Sequence, residues 1–479
     1  MTRDAARAIA ALLMASAVAT AAVITVEPSG EGDYPTIQEG LSAAADGDTV
    51  LVEPGTYTGP DNRDLDFAGK NVKVRSSGGS GVTTIDCGGT SGAFYIHGGE
   101  DVSTEICGFT IINGPTGDVG AVRITGASAT IRDCAFSQCS APGYSVYGSA
   151  VFFEGEYGSP EARQLVIERC IFSDNSAKYN GVVYCADGTL NISDCEFRTN
   201  INWAGIGVSG ISCRRSICYA SDCLFAENEE EAMDLSDTHG EILRCTFEYN
   251  LDGAIGINLE YSDPLIRDCT FLRNRGTSIR LGGSSPTVEN CEFLTNYGGG
   301  RAGGIDGTDS SPTVTNCVFL NNHAFGGHRG HAIHLEGVDG SAPRIGNCSS
   351  FGRIDWDYQT GGVFKFTEGC NAVVERSIIA FSGGKPVYCD EVTTPTITNC
   401  IFFGHASGDS LCGSYQDNLF TEPLWCNAIN NDFDVCDNSP CLPENNSWGV
   451  VIGARGEGCG ECITLVREIT WGSIKAMYR

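Results

Sequence analysis

"IRDCTFLRN", residues 266–274, is one copy of a phrase that recurs along most of the chain. The others read "IRDCAFSQC", "IERCIFSDN", "ISDCEFRTN", "ASDCLFAEN", "ILRCTFEYN", "VENCEFLTN", "VTNCVFLNN" and, later, "ITNCIFF". Their cysteines are Cys134, Cys170, Cys195, Cys223, Cys245, Cys269, Cys291, Cys317 and Cys400. Cys348 stands in the degenerate "IGNCSSF", and Ser377 takes the place in "VVERSIIAF". The steps run from 22 to 36 residues. A period of that size signals a solenoid, in which each unit buries its apolar face against the next, rather than separate globular domains.

Cysteine and the aromatic two residues later fall on the same side of an extended segment, because side chains alternate. Both are expected to face inward, so the cysteines form a stacked ladder of free buried thiols that act as small apolar fillers. Five residues after the cysteine comes asparagine in seven consecutive copies: Asn175, Asn200, Asn228, Asn250, Asn274, Asn296 and Asn322. Its amide both donates and accepts and it tolerates left-handed turns, which predicts an asparagine ladder at a coil corner.

Composition narrows the function classes. The chain carries 60 acidic against 30 basic residues, a net charge of −30, which argues against nucleic acid or an anionic membrane surface as partner. An anionic polysaccharide is repelled as well unless a cation such as calcium screens it. Glycine, at 62 of 479, favours a turn-rich β protein. Residues 1–21, "MTRDAARAIAALLMASAVATA", have two early arginines, an apolar run and small residues at the end, the pattern of a secretory signal peptide. No later stretch is apolar enough to span a membrane. The expected location is outside the cell or on its surface.

The run "GDYPTIQEGLSAAADGDTVLVEPGTYTG", residues 32–59, together with the repeats, resembles secreted right-handed parallel β-helix proteins of the pectin-lyase-like superfamily, of the Cys-rich bacterial type. The resemblance implies an all-β, single-stranded right-handed parallel β-helix whose open N-terminal end is capped by an amphipathic helix. Capping makes physical sense, since a bare solenoid end exposes strand edges and core. The organisation expected is a signal peptide (1–21), N-terminal cap and first coils (22–105), Cys/Asn-ladder repeats (106–405), a Cys-rich C-terminal cap (406–462) and a tail (463–479), with roughly twelve coils. The fold predicts function weakly, because such coils serve lyases, hydrolases, epimerases and surface proteins alike.

Candidate functional residues come from counting back from the repeat cysteine. Ten residues before it lies an inward apolar position, so the residue before that faces outward: Arg123, Asp234, Asn258 and Arg280, with Asp306 by the same count. "AIHL" aligns with "SIRL" and adds His334. Looser alignments add Tyr184, Lys365 and Tyr388. Stacked at about 4.8 Å per coil, these line one solvent-facing sheet, which suits binding of carbohydrate or another macromolecule at Asp234, Asn258, Tyr184, Lys365 and Tyr388. The same column is equally the polar exterior that any soluble strand must have.

The alternative is a polysaccharide lyase or an inverting glycoside hydrolase acting at Arg280, Asp306, His334 and Glu336. Asp306 and Glu336 are expected roughly 8 Å apart, within the interval of an inverting carboxylate pair, whereas Asp234 and Asp306 are about 14 Å apart. His334 would then tune the acid and Arg280 hold a substrate oxygen. The resemblance implies, for a lyase, Arg280 or Lys365 as base with calcium held by Asp234 and Asp306; no "DxDxDG" cluster is present. The histidines of "NNHAFGGHRGHAIHLEG" (321–337) match no zinc-protease spacing. His323 and His328 are expected in the loop after the asparagine corner, and His331 and His334 on opposite strand faces.

Beyond residue 405 the repeat fades. Cys412, Cys426, Cys436, Cys441, Cys459 and Cys462 sit among Asn, Pro and Gly, where disulfides are expected in an exported chain; their pairing stays open. The spacings Cys436-x4-Cys441 and Cys459-x2-Cys462 also admit zinc, which an oxidising compartment disfavours.

Overall fold

The computed structural model describes residues 21–115, 120–140, 147–177, 180–202, 207–251, 255–324, 331–337, 341–352, 362–428 and 432–462. The expected signal peptide up to residue 20, the tail and His328 lie outside the described residues. The chain winds into three long parallel sheets. Sheet A has 16 strands, from Val23–Val26 to Ser414–Gln416; sheet B has 14, from Gly55–Tyr57 to Ile401–Phe403; sheet C has 13, from Leu65–Asp66 to Lys385–Cys389. One coil passes, for example, through Leu265–Arg267 in sheet A, Thr270–Leu272 in B and Ile279–Gly282 in C. The expectation of roughly twelve coils falls short, because the rungs before Ile112 lack the Cys-aromatic phrase on which that count rests.

Among the described residues the coils of the repeat turn three corners on one plan. A residue with positive φ turns the backbone, and in most of them a small polar or thiol side chain follows it inward. Asp268 (φ 56°) precedes Cys269 between sheets A and B, Arg273 (φ 52°) precedes Asn274 after sheet B, and Tyr261 (φ 51°) precedes Ser262 after sheet C. The left-handed residue is therefore the one before asparagine, not asparagine itself as its turn preference suggests. Such a conformation costs about 1 kcal/mol or more outside glycine, and the ladders that follow offset it.

In the asparagine ladder Asn250 Nδ2 donates to Phe225 O (3.1 Å) and to Asn274 Oδ1 (2.9 Å), and Asn250 N–H donates to the same oxygen (3.1 Å). The pattern repeats from Asn175 to Asn322. A second polar ladder lies outside the repeated phrase: Thr238 N–H donates to Ser262 Oγ, Ser262 N–H to Ser284 Oγ and Ser284 N–H to Ser310 Oγ, at 2.9 to 3.1 Å.

The interior is a column of eight phenylalanines, Phe136, Phe172, Phe197, Phe225, Phe247, Phe271, Phe293 and Phe319, stacked with centroids 4.6 to 5.0 Å apart. In-register parallel strands set that spacing. The repeat cysteines are buried and free, as expected, and turn their thiols to backbone carbonyls: Cys269 Sγ lies 3.5 Å from Ile242 O and 3.4 Å from Arg267 O. Because the ladder thiols are closed off from solvent, a thiol reagent should leave them unlabelled in native buffer and label them fully in denaturant; rapid native labelling of Cys245 or Cys269 would contradict the packing.

The N-terminal end is closed by the helix Ile37–Ala43. Thr36 accepts the Glu39 N–H as its N-cap, and Ile37 and Leu41 are buried. Gly40 allows close seating, since a Cβ there would meet Val26 Cγ2 at 2.7 Å.

Sheet B changes character toward its C-terminal end. Outward positions that carry Thr246, Glu248, Thr270 and Glu292 earlier become Val318, Leu320, Phe351, Ile378, Ala380 and Ile401. The Cys-rich segment covers this flank with Trp425, Phe433, Val435, Leu442 and Ile452. Arg455 pairs with Glu292, and Ala454 N–H donates to Ser349 Oγ at 2.9 Å. Disulfides join Cys389–Cys412, Cys426–Cys459 and Cys436–Cys462. One correction follows: Cys441, expected in a disulfide, is a buried free thiol placed 3.5 Å from Pro423 O, and Cys412 is bridged instead to Cys389 on a sheet C strand.

Candidate functional site

The outward column forms on sheet C in unbroken register. Tyr184 pairs with Ser212, and the line continues through Asp234, Asn258, Arg280, Asp306, His334 and Lys365 to Tyr388. Toward the N-terminus it extends through Phe152 and Arg123 to Tyr95. Position is as expected, but exposure is not. Asp306 is 1% and His334 2% exposed, and Asn258 and Tyr184 are also buried. The accessible row is the one two residues on, where Glu154, Glu260 and Thr308 are exposed and Arg214 and Glu336 partly so.

Asp306 is saturated. Arg301 Nη1 donates to its Oδ2 at 3.0 Å, the Ala302 N–H to Oδ1 at 3.3 Å, and His334 Nδ1 lies 2.9 Å from Oδ1. The other ring nitrogen of His334 faces Glu336 Oε2 at 3.9 Å, and Thr308 Oγ1 donates to Glu336 Oε1 at 3.1 Å. The imidazole thus fills the interval between Asp306 and Glu336 that an inverting pair would leave for water and a sugar ring. Asp306, His334 and Glu336 come together as an interlocked polar cluster. Arg280 stands between the Asn258 and Asp306 rungs and acts through its charge on two further acids.

Those acids are Asp234 and Glu231, on the strand Glu231–Ser236. Burial pushes the Glu231 carboxyl up to about 8; the charge of Asp234 adds to the rise and Arg280 opposes it. Asp234 is also raised, chiefly by burial, although Asn258 Nδ2 donates to it at 2.9 Å and Arg214 and Arg280 lower it. Calcium does not fit the residues that the resemblance implies for it. Asp234 and Asp306 are separated by the Asn258 and Arg280 rungs, and Asp306 is taken up by Arg301 and His334. Lys365 stands over the Tyr388 ring, Nζ 5.1 Å from its centroid. His323 is buried, stacked 5.5 Å from His331 at the asparagine corner.

Residues 180–340 match a family model described as "Right handed beta helix region". The chain is a right-handed parallel β-helix. The matched β-helix residues carry the column from Tyr184 to His334 and Glu336. No curated protein matches the chain at the significance required. Solved structures similar to this β-helix include the catalytic unit of a thermostable α-1,3-glucanase from Streptomyces thermodiastaticus strain HF3-3. Identity is 12% over 80% of this chain and 64% of that one, with a TM-score of 0.35. The alginate lyase AlyGC gives 11%, 91%, 59% and 0.46, and the surface adhesin PfbA of Streptococcus pneumoniae 12%, 77%, 86% and 0.37. The chain spans less than two thirds of the glucanase unit and of the lyase. Likeness at this level extends no activity to the β-helix. Among its described residues no helix is long and apolar enough to cross a membrane.

Glu231 escapes the count along the sequence because it lies three residues before Asp234, off the outward column, beside a register shift between Val208 and Ile211. Its raised value has a measurable consequence. The folded β-helix holds a proton here that the unfolded chain releases at about pH 4.3. That contribution is full below the unfolded value and is lost as pH climbs through about 8. Glu231→Gln should leave the melting temperature unchanged near pH 4 and raise it near pH 9, measured by calorimetry. Equal melting of both proteins near pH 9 would show that Glu231 ionises without cost.

Proposed function

We propose that this β-helix is a binding protein, acting outside the cell or on its surface, that takes a polysaccharide on the N-terminal half of the outer face of sheet C. The observation that carries this reading is an aromatic and guanidinium run. The Arg123 guanidinium lies 5.1 Å from the Tyr95 ring centre and 6.0 Å from that of Phe152, and Phe152 stacks on Tyr184 at 5.6 Å. Tyr147 rises beside them, 4.8 Å from Tyr184. The partly exposed rings of Tyr95 and Tyr147 offer apolar faces to sugar rings and the Arg123 guanidinium bonds their oxygens, while Phe152 and Tyr184 are buried and pack behind them. Two polar atoms in this stretch, Arg123 Nε and Ser212 Oγ, are buried with no bonding partner. Calorimetry against a panel of neutral and acidic polysaccharides tests the reading. Arg123→Ala and Tyr95→Ala should each weaken binding at least about tenfold; unchanged affinity in both would reject the site.

A second reading is favoured by one observation, the pair of raised carboxyls beside Arg280. Glu231, protonated at neutral pH, would donate to a leaving glycosidic oxygen, with Asp234 as the partner carboxylate and Arg280 holding a substrate oxygen. Reducing-end assays and ultraviolet detection of unsaturated sugars on the same panel separate the two. Turnover abolished by Glu231→Gln supports the enzyme; no turnover on any polysaccharide rejects it.

A further inference from the structure

Spacing alone groups Cys436, Cys441, Cys459 and Cys462 as a metal set. The fold draws a different set together. Cys426 comes from the strand Trp425–Asn427, Cys436 from Asp432–Cys436 and Cys459 from Glu457–Cys459, three strands of one small sheet on the flank of the solenoid. Their three sulfur atoms all lie within 4.8 Å of one another. Cys436 Sγ and Cys459 Sγ, which belong to different disulfides, are 3.5 Å apart, and Cys462 is bonded to Cys436. Three sulfurs therefore meet in one knot, to which Cys462 is tied by its bond to Cys436. Cys441 is turned away to Pro423 O, in the apolar contact with sheet B.

We propose that Cys426, Cys436, Cys459 and Cys462 form a four-thiolate site for a soft divalent cation, zinc in the first place, whenever the two disulfides are reduced. A tetrahedral zinc with Zn–S of about 2.3 Å holds its sulfurs a little under 4 Å apart, so the observed cluster needs little backbone movement to close around an ion. The backbone frame survives loss of the bridges. Cys436 N–H donates to Leu424 O at 2.9 Å and Asp437 N–H to Cys459 O at 3.2 Å. Asn438 exchanges two bonds with Cys462: its Nδ2 donates to Cys462 O at 2.8 Å and its Oδ1 accepts the Cys462 N–H at 3.1 Å. The local charge favours a cation. Asp432, Asp434, Asp437, Glu457 and Glu461 flank the knot, and Arg455, on the described segment before Cys459, is paired with Glu292.

The chemistry balances with a phosphine as reductant. Each S–S bond breaks, its two sulfurs gain two electrons and two protons, and the phosphine leaves as its oxide with the oxygen of water. Zinc then displaces the thiol protons and takes four thiolates. The cover over Val318, Leu320 and Phe351 is thus pinned by disulfides in the oxidised chain and by a metal in the reduced one.

The test uses the full chain, reduced with a phosphine and titrated with Co²⁺ and then Zn²⁺ under argon. One cobalt per chain with the visible bands of a tetrahedral tetrathiolate, bleached by zinc, is expected. Cys441→Ser should bind as wild type, and Cys426→Ser/Cys459→Ser should lose that equivalent while keeping every ladder thiol. A measurement without variants is alkylation mapped by mass spectrometry, in which zinc should protect Cys426, Cys436, Cys459 and Cys462 and not Cys441. Equal alkylation of the four with and without zinc, equal cobalt uptake by the double variant, or loss of binding in Cys441→Ser would each overturn the assignment.

Discussion

Phe271→Ala should be the most damaging single truncation in the solenoid, lowering stability by about 4–5 kcal/mol. Removing a buried phenyl costs about 3–5 kcal/mol through lost transfer energy and the cavity left behind. Loss of two ring contacts adds about 0.5–1.5 kcal/mol each in favourable cases. Phe271 stacks on Phe247 at 4.8 Å and on Phe293 at 5.0 Å, nearly parallel to both. The neighbours cannot close the gap, because their own strands are pinned in register by the rungs on either side. The ring also lies against the backbone of Gly256, where a Cβ would meet it at 3.0 Å, so the cavity borders sheet C as well. In a quasi-one-dimensional fold each coil contacts only its neighbours, so a weak rung can split one cooperative transition into two. Urea unfolding followed by tryptophan fluorescence and by circular dichroism measures both effects. A loss below about 2 kcal/mol with a single transition would mean that the phenylalanine column packs more loosely than its spacing indicates.

Much of this architecture is legible in the phrase around Cys269 alone. Its constant spacing identifies the inward residues, and the residue before the one ten places back puts Asp234, Asn258, Arg280 and Asp306 on one column, which the strand register reproduces. Alternation states which side of a sheet a residue faces. It does not state what a loop lays over that side, which is why Asp306 is expected in solvent and is instead bonded by Arg301 and Ala302 from the preceding loop. The serine ladder stands at a constant seven residues before the repeat cysteine, Thr238, Ser262, Ser284 and Ser310 before Cys245, Cys269, Cys291 and Cys317, yet it escapes notice because serine and threonine are common in any turn. Glu231 escapes because it lies off the outward column, beside a register shift. Cys389 escapes for the opposite reason: it sits on a regular strand, and its partner Cys412 lies in the irregular segment where bridges are expected.

Asn250→Ala should cost about 3–6 kcal/mol although it removes only a small polar side chain. The buried amide serves three neighbours at once. Its Oδ1 accepts from Asn228 N–H at 3.0 Å and from Asn228 Nδ2 at 3.2 Å, and its Nδ2 donates to Phe225 O at 3.1 Å. Alanine leaves the Asn228 N–H buried without its acceptor, at about 1–3 kcal/mol, leaves the Asn228 Nδ2 and the Asn274 Oδ1 each short of a buried partner at a similar cost, and takes one donor from the Phe225 carbonyl. The left-handed Tyr249 before it (φ 53°) then holds its strained conformation with less to offset it. Position within the ladder gives an internal control. At Asn175, the first rung, the preceding acceptance is a single one, Cys139 N–H at 3.0 Å, so Asn175→Ala should cost less than Asn250→Ala. Ser262→Ala interrupts the other polar ladder, where the Thr238 N–H loses its acceptor, and should cost about 1–3 kcal/mol. Chemical denaturation of the three variants should therefore rank Asn250 as the most costly. Equal losses at Asn250 and Asn175 would show that the corner is held by its backbone turns and not by bonds running along the axis, and the asparagines would then be fillers of the corner rather than its connecting element.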